Sequence, residues 1–146
     1  KESPDAWVVE VVNTMKTGDC DKLEKLLTSF FASIPYSQRR KDDEREKERY
    51  FQYTFYLVIR MISSFTVLIE KEQSEGRVDC IIETPMFVYI FEFKRDGSAT
   101  EALKQIEGKG YAREYATDNR TIYLIGCNFS SKTGTIDDWK SKGKSV

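Results

Sequence analysis

In Val88-Tyr89-Ile90-Phe91-Glu92-Phe93-Lys94 two charges interrupt an otherwise apolar run. β-Branched and aromatic residues in such a run predict a strand. Side chains two apart on a strand share a face, so Glu92 and Lys94 point one way and Phe91 and Phe93 the other. Upstream, Gly76-Arg77-Val78-Asp79 opens with a turn residue and sets an acid among Val78, Cys80, Ile81 and Ile82. If the two strands pair as a hairpin of the length their spacing allows, Asp79 lies beside Glu92. Two carboxylates meeting without a counter-charge are costly in a low-dielectric site, and a divalent cation removes that cost by taking oxygen ligands from both. Magnesium or manganese is the natural guest. A cation held this way polarises a phosphate oxygen, lowers the pKa of a bound water and stabilises an oxyanion leaving group. Lys94, on the same face, could orient or activate that water and balance phosphate charge. These are the parts of phosphodiester hydrolysis. The spacing alone is common, and a structural Glu–Lys pair is the simpler reading of it.

Elements must bring these residues together. After Ser3-Pro4-Asp5, the residues Val8, Val9, Val11, Val12 and Met15 recur at helical spacing, which predicts a short helix from Asp5 to about Lys16. Gly18-Asp19 breaks it, and Leu23, Leu26, Leu27, Phe30 and Phe31 mark a second helix that ends before Pro35. Every residue from Arg39 to Arg49 is charged with both signs interleaved, the pattern of a solvated helix end or loop. A largely buried helix follows, with Tyr50, Tyr53, Leu57 and Met61 on one stripe and Phe51, Phe55, Val58, Ile62 and Phe65 on the next. Strands are predicted over 65–69, 78–82 and 87–93, joined by connections short enough for antiparallel hairpins. Asp96-Gly97-Ser98 then starts a helix carrying Ala99, Ala102, Leu103, Ile106, Tyr111 and Ala112, expected to reach Tyr115, and Thr121 to Cys127 reads as a buried strand. The polar tail carries Trp139, expected to close the sheet edge or cover the core. A helix between the third and fourth strands implies a parallel pair beside the antiparallel meander, hence a mixed sheet.

Composition narrows the chemistry. The 146 residues suit one compact domain, and 40% apolar with 13% aromatic residues can fill its core. Histidine is absent, which excludes histidine-dependent triads and HExxH zinc sites within the chain. Cys20, Cys80 and Cys127 lie far apart with no CxxC, and read as structural thiols of a reducing, cytoplasmic setting. No apolar stretch approaches the ~20 residues of a membrane span. The formal charge is −1, so nucleic-acid binding would need a local basic surface. Lys1-Glu2-Ser3-Pro4 offers neither an initiator Met nor a signal region, as expected of a piece of a longer protein. No GxxxxGK[ST] is present for ATP.

Gly76-Arg77-Val78-Asp79, Glu92-Phe93-Lys94, Ala102-Leu103-Lys104-Gln105-Ile106 with Gly110-Tyr111, and Tyr123-Leu124-Ile125-Gly126-Cys127-Asn128-Phe129 resemble the successive signatures of the PD-(D/E)XK nuclease superfamily. More narrowly, they resemble the branch found at the C-terminus of bacterial proteins with an AAA-ATPase-like N-terminal domain. The similarity runs from Ser33-Ile34-Pro35-Tyr36 to Trp139. It implies an α/β fold of the α+β kind: a restriction-endonuclease-like αβββαβ core with a mixed central sheet flanked by helices. Residues 1–35 would then be a helical extension toward an upstream domain, and 36–146 the nuclease-like domain. The resemblance implies that Asp79 and Glu92 ligate Mg²⁺ or Mn²⁺ and that Lys94 assists the nucleophile. It matches Gln105 to a helix glutamine that contacts phosphate or water, and Glu48 to an acid of the first core helix that completes the metal shell. Glu48 is equally well one more solvated acid of its charge run, and Glu70 or Glu72 ranks below it as the third carboxylate. Arg77 either binds phosphate or pairs with one of these acids, and Tyr111 reads as core packing. Val78-Asp79 stands where the family name has Pro-Asp, a departure that leaves the ligand intact.

Three functions follow from these residues. The first is a metal-dependent nuclease acting on nucleic acid, DNA being favoured, within an ATPase-associated protein. The second, which the low positive charge favours, is a catalytically inactive nuclease-fold module that binds nucleic acid or protein. The third is a structural or oligomerisation domain using the aromatic-rich N-terminal helices as contact surface.

Overall fold

The structure, a computed structural model, describes residues 4–33, 66–73 and 76–144. The charged run, the helix expected at Tyr50–Phe65 and Glu48 lie outside the described residues. Helix α1 (Pro4–Thr17) begins with a proline, whose missing N–H costs nothing at a first helical position. It ends at Gly18, whose φ of 77° is a conformation that suits glycine. Asp19 then caps α2 (Cys20–Ser33), its Oδ1 accepting from the Lys22 N–H at 3.0 Å. Trp7 stacks on Phe30 at 5.1 Å between ring centres and donates its indole N–H to the Leu26 carbonyl, locking the two helices together.

Five strands form one sheet in the order β1-β2-β3-β4-β5: β1 Thr66–Gln73, β2 Gly76–Glu83, β3 Phe87–Arg95, β4 Thr121–Ser130 and β5 Thr135–Lys144. The first three make the expected antiparallel meander, and β3 pairs parallel with β4. The crossover between them contains α3 (Ala99–Lys109). The Ser98 hydroxyl caps α3 by accepting from the Glu101 N–H, as the Asp-Gly-Ser start signal implied. The helix stops six residues short of the expected Tyr115. Gly110 takes a left-handed φ of 64°, and Tyr111–Tyr115 form a 3₁₀ turn instead.

One difference from the sequence expectation is the fifth strand, where only a polar tail was expected. It pairs antiparallel with β4 and closes that edge of the sheet, with Trp139 9% exposed. Both expected roles of Trp139 are met, since it covers the core from the edge strand.

Strand alternation sorts the core into two layers. Tyr89, Phe91, Ile125, Cys127 and Phe129 pack with Val11, Met15, Leu23, Leu27 and Phe31 of α1 and α2. Val88, Ile90, Ile122 and Leu124 pack on the opposite face with Ile106 of α3. Thus α1 and α2 form a layer sharing one core with the sheet, and Tyr89 reinforces it by donating its hydroxyl to the Met15 carbonyl at 2.6 Å. All three cysteines are buried free thiols. Among the described residues no helix is long and apolar enough to cross a membrane.

Candidate functional site

Strand β3 is central, antiparallel to β2 on one side and parallel to β4 on the other. Glu92 and Lys94 continue the alternation of Val88 and Ile90, and so belong to the face covered by α3. Glu92 is only 6% exposed, and Lys94 is half-buried. Burying a carboxylate in an apolar strand is unfavourable unless a cation or hydrogen-bond donors compensate.

The register of β3 with β4 pairs Glu92 with Gly126 and Lys94 with Asn128. Gly126 lies directly beneath α3. A Cβ built there would lie 2.3 Å from the Ala99 carbonyl oxygen and 2.8 Å from the Leu103 nitrogen. The helix backbone therefore rests directly on the strand beside Glu92, walling that end of the face.

On the other side, the β2–β3 ladder runs from Glu83↔Val88 to Cys80↔Phe91. Asp79 and Glu92 are the next residues of their strands. On β1 the paired positions Ile69↔Cys80 and Lys71↔Val78 bracket Glu70 and Asp79, while Glu72 pairs with Arg77. These are backbone positions; the side chains of Glu70, Glu72, Arg77 and Asp79 lie outside the described residues, as does that of Tyr111, whose backbone opens the 3₁₀ turn. Among the residues described, no group of three or more His, Cys, Asp or Glu side chains gathers to hold a metal.

Gln105 is half-buried on α3. Ala99, Ala102 and Ile106 are buried toward the sheet, and Glu107 accepts an ion pair from Lys142 of β5 at 3.1 Å. At ~100° per residue, Gln105 falls on the flank opposite Glu107, away from β5 and toward β3.

The sequence did not mark the groups that fix the β3–α3 connection. Asp96 adopts φ 54° and accepts from both the Ser131 N–H (2.8 Å) and the Ser131 hydroxyl (2.6 Å). Buried Asn128 accepts from the Gly97 N–H at 2.9 Å and donates to Asp137 at 2.8 Å. Asp138 accepts from the Ala99 N–H at 2.9 Å. The available signals were Asp96 in the helix-start triplet and Asn128, a polar residue interrupting an apolar run.

A second polar cluster stands at the opposite end of the sheet. Arg120 donates to Asp118, to Glu83 at 2.8 Å and to the Thr84 carbonyl at 3.1 Å. The Arg120 hydrogen bonds hold the Asp118 carboxyl down at about 2. This cluster ties the β2–β3 turn to the start of β4 and is remote from Glu92.

Comparison with known proteins agrees with this arrangement. The family model of the PD-(D/E)XK nuclease superfamily matches residues 46–139. A protein of Azotobacter chroococcum mcd 1, described as "Uncharacterized protein in vnfD 5'region", is 32% identical over 129 residues, or 87% of this chain. The chain spans about a quarter of that relative's length, 25%. No solved structure matches. A mixed sheet between helical layers, with an acid and a lysine on one face of its central strand, and a family match over well over half of the chain lead to one conclusion: the chain belongs to the PD-(D/E)XK nuclease superfamily.

Proposed function

We propose that this domain hydrolyses phosphodiester bonds of nucleic acid in a Mg²⁺- or Mn²⁺-dependent reaction, with Asp79 and Glu92 as metal ligands. The observation that carries the reading is Glu92, a carboxylate 6% exposed on the same face of the central strand as Lys94. Strand alternation supports the pairing. Ile81 belongs to the α3 face, position 79 has the same parity, and the β2–β3 register, continued one step past Cys80↔Phe91, would set it across from Glu92. The donor chemistry fits the ion, because carboxylate oxygens without histidine or thiolate suit a hard divalent cation.

When bound, the ion supplies charge neutralisation and Lewis-acid polarisation of a phosphate oxygen. Asp79 and Glu92 fix its place against the sheet. Lys94 extends from the same face to orient the attacking water and to offset phosphate charge. Gln105, on the β3-facing flank of α3, contributes a neutral amide to phosphate or water. Glu48 is the proposed third carboxylate. Should it not serve, register favours Glu70, abreast of Asp79, over Glu72, which is abreast of Arg77. DNA is the proposed substrate and the cytoplasm the proposed setting. Together with the resemblance to C-terminal domains of AAA-ATPase-like proteins, the quarter-length match to a longer relative supports a role beside such an ATPase-like domain.

The test incubates labelled DNA and RNA with Mn²⁺, Mg²⁺ or EDTA, comparing the chain with Asp79→Ala and Lys94→Ala. Cleavage should require metal and fall at least about a hundredfold in either variant while the fold persists. Equal cleavage by all three proteins would refute the assignment. Metal-independent binding without cleavage would favour the inactive module, the reading that the net charge of −1 supports.

A further inference from the structure

Between Lys94 and α3 the chain must turn sharply, and that turn is held from the neighbouring β4–β5 hairpin. Gly97 sits at the centre. A Cβ built on it would lie 3.5 Å from the Lys94 Cβ and 3.8 Å from Asn128 Oδ1. Asn128 is 2% exposed, is the register partner of Lys94, and accepts the Gly97 N–H at 2.9 Å. Its own amide is fixed in turn by donation to Asp137 at 2.8 Å.

That arrangement depends on a bulge. Asn128 pairs with Asp138 and Phe129 with Ile136, leaving Asp137 as the extra residue. In a regular strand consecutive side chains diverge to opposite faces, but a bulge re-aims one of them. Asp137 thus reaches Asn128 while Asp138 reaches the Ala99 N–H.

We propose that Asn128 is a positioning residue: by fixing the Gly97 turn beside the root of Lys94, with room there for no more than the missing methyl group, it limits the directions in which the lysine can leave the sheet. This rests on the nuclease reading only for its effect on cleavage. Groups that orient a first-line residue in this way are worth roughly tenfold to a hundredfold.

The experiment compares the whole chain with Asn128→Ala, Asp137→Asn and Glu107→Ala. It reads Mn²⁺-dependent cleavage of DNA, amide exchange at Gly97 and the Lys94 side-chain ammonium resonance. Asn128→Ala should lower kcat about tenfold or more with KM unchanged, speed exchange at Gly97 and shift the Lys94 resonance. Asp137→Asn, whose amide oxygen can still accept from Asn128, should stay within about threefold of the unaltered chain. Glu107→Ala, which removes only the exposed pair with Lys142, should leave all three readouts unchanged. If Asn128→Ala cleaves normally with an unmoved Lys94 resonance, the inference is overturned and the nuclease reading stands. If the unaltered chain never cleaves but Asn128→Ala moves the Lys94 resonance and frees Gly97, the nuclease reading fails and the positioning role holds.

Discussion

Replacing Gly126 with alanine tests how closely α3 is seated beside Glu92. The new Cβ would stand 2.3 Å from the Ala99 carbonyl oxygen, where ordinary contact begins near 3.4 Å, so the helix must retreat by about 1.1 Å or the strand must yield. Both obstructing atoms, Ala99 O and Leu103 N, are backbone and cannot rotate away. Gly126 does not occupy the left-handed region, so alanine suits its backbone, and propensity alone would favour the change by ~0.5–1 kcal/mol. Overpacking costs about 1–3 kcal/mol, and a 2.3 Å approach to backbone belongs at the upper end of that range, so the net loss should be about 2 kcal/mol. For a domain of this size that is a fall of roughly 4–8 °C in Tm. Gly108→Ala is the internal control: nothing lies within 4 Å of its new Cβ, and an alanine inside α3 should stabilise by up to ~1 kcal/mol. Urea denaturation followed by circular dichroism measures both, and the same methyl group should act with opposite sign at the two sites. Because Gly126 is the register partner of Glu92, metal-dependent cleavage should fall along with stability in the first variant alone. An unchanged urea midpoint for Gly126→Ala would refute the close seating of α3 and the walling of Glu92 that depends on it.

Glu92→Gln, which matches the buried carboxylate in shape but not in charge, should lose metal-dependent cleavage while the fold persists. It should also lose the Mn²⁺-induced rise in Tm, worth about 2.7 kcal/mol at a hundredfold excess over Kd; a Mn²⁺ titration by scanning calorimetry that raises both proteins equally would place the ion elsewhere. Arg120→Ala should flatten the acid limb of stability. Asp118, held at about 2 by its hydrogen bonds to Arg120, contributes stability that is present above its ordinary value of 3.8 and is lost as pH falls through about 2. Urea midpoints between pH 4 and 2 check this, with metal-dependent cleavage at neutral pH expected to persist because the cluster is remote from Glu92.

The charges in the central strand were legible because they break an apolar pattern, and alternation alone assigned Glu92 and Lys94 to one side. The meander, the crossover helix and the parallel pair followed from short turns and a capped helix start at Ser98. Strand β5 was not legible. Thr135–Lys144 is mostly charged or small, its buried face shows through only Ile136 and Trp139, and the extra residue Asp137 breaks the two-residue period. Its outward lysines are those of an edge strand, which discourages pairing with another chain. The end of α3 was misjudged because Tyr111 and Ala112 prolong an apolar pattern past Gly110, whose left-handed turn stops the helix. The bonds of Asn128 and Asp138 to the β3–α3 turn depend on that same irregular pairing, so no local pattern announces them.

The carboxylate of Asp138 on the Ala99 N–H has one more consequence. The opening turn of a helix ordinarily offers partial positive charge and free donors to an incoming anion. Here an internal acid already claims part of that attraction, so a phosphodiester nearing the turn meets a like charge before it meets the helix. Under the proposed nuclease function, grip on the nucleic-acid backbone would thereby fall to side-chain cations such as Lys94, and its strength would be tunable by single substitutions instead of being built into the main chain.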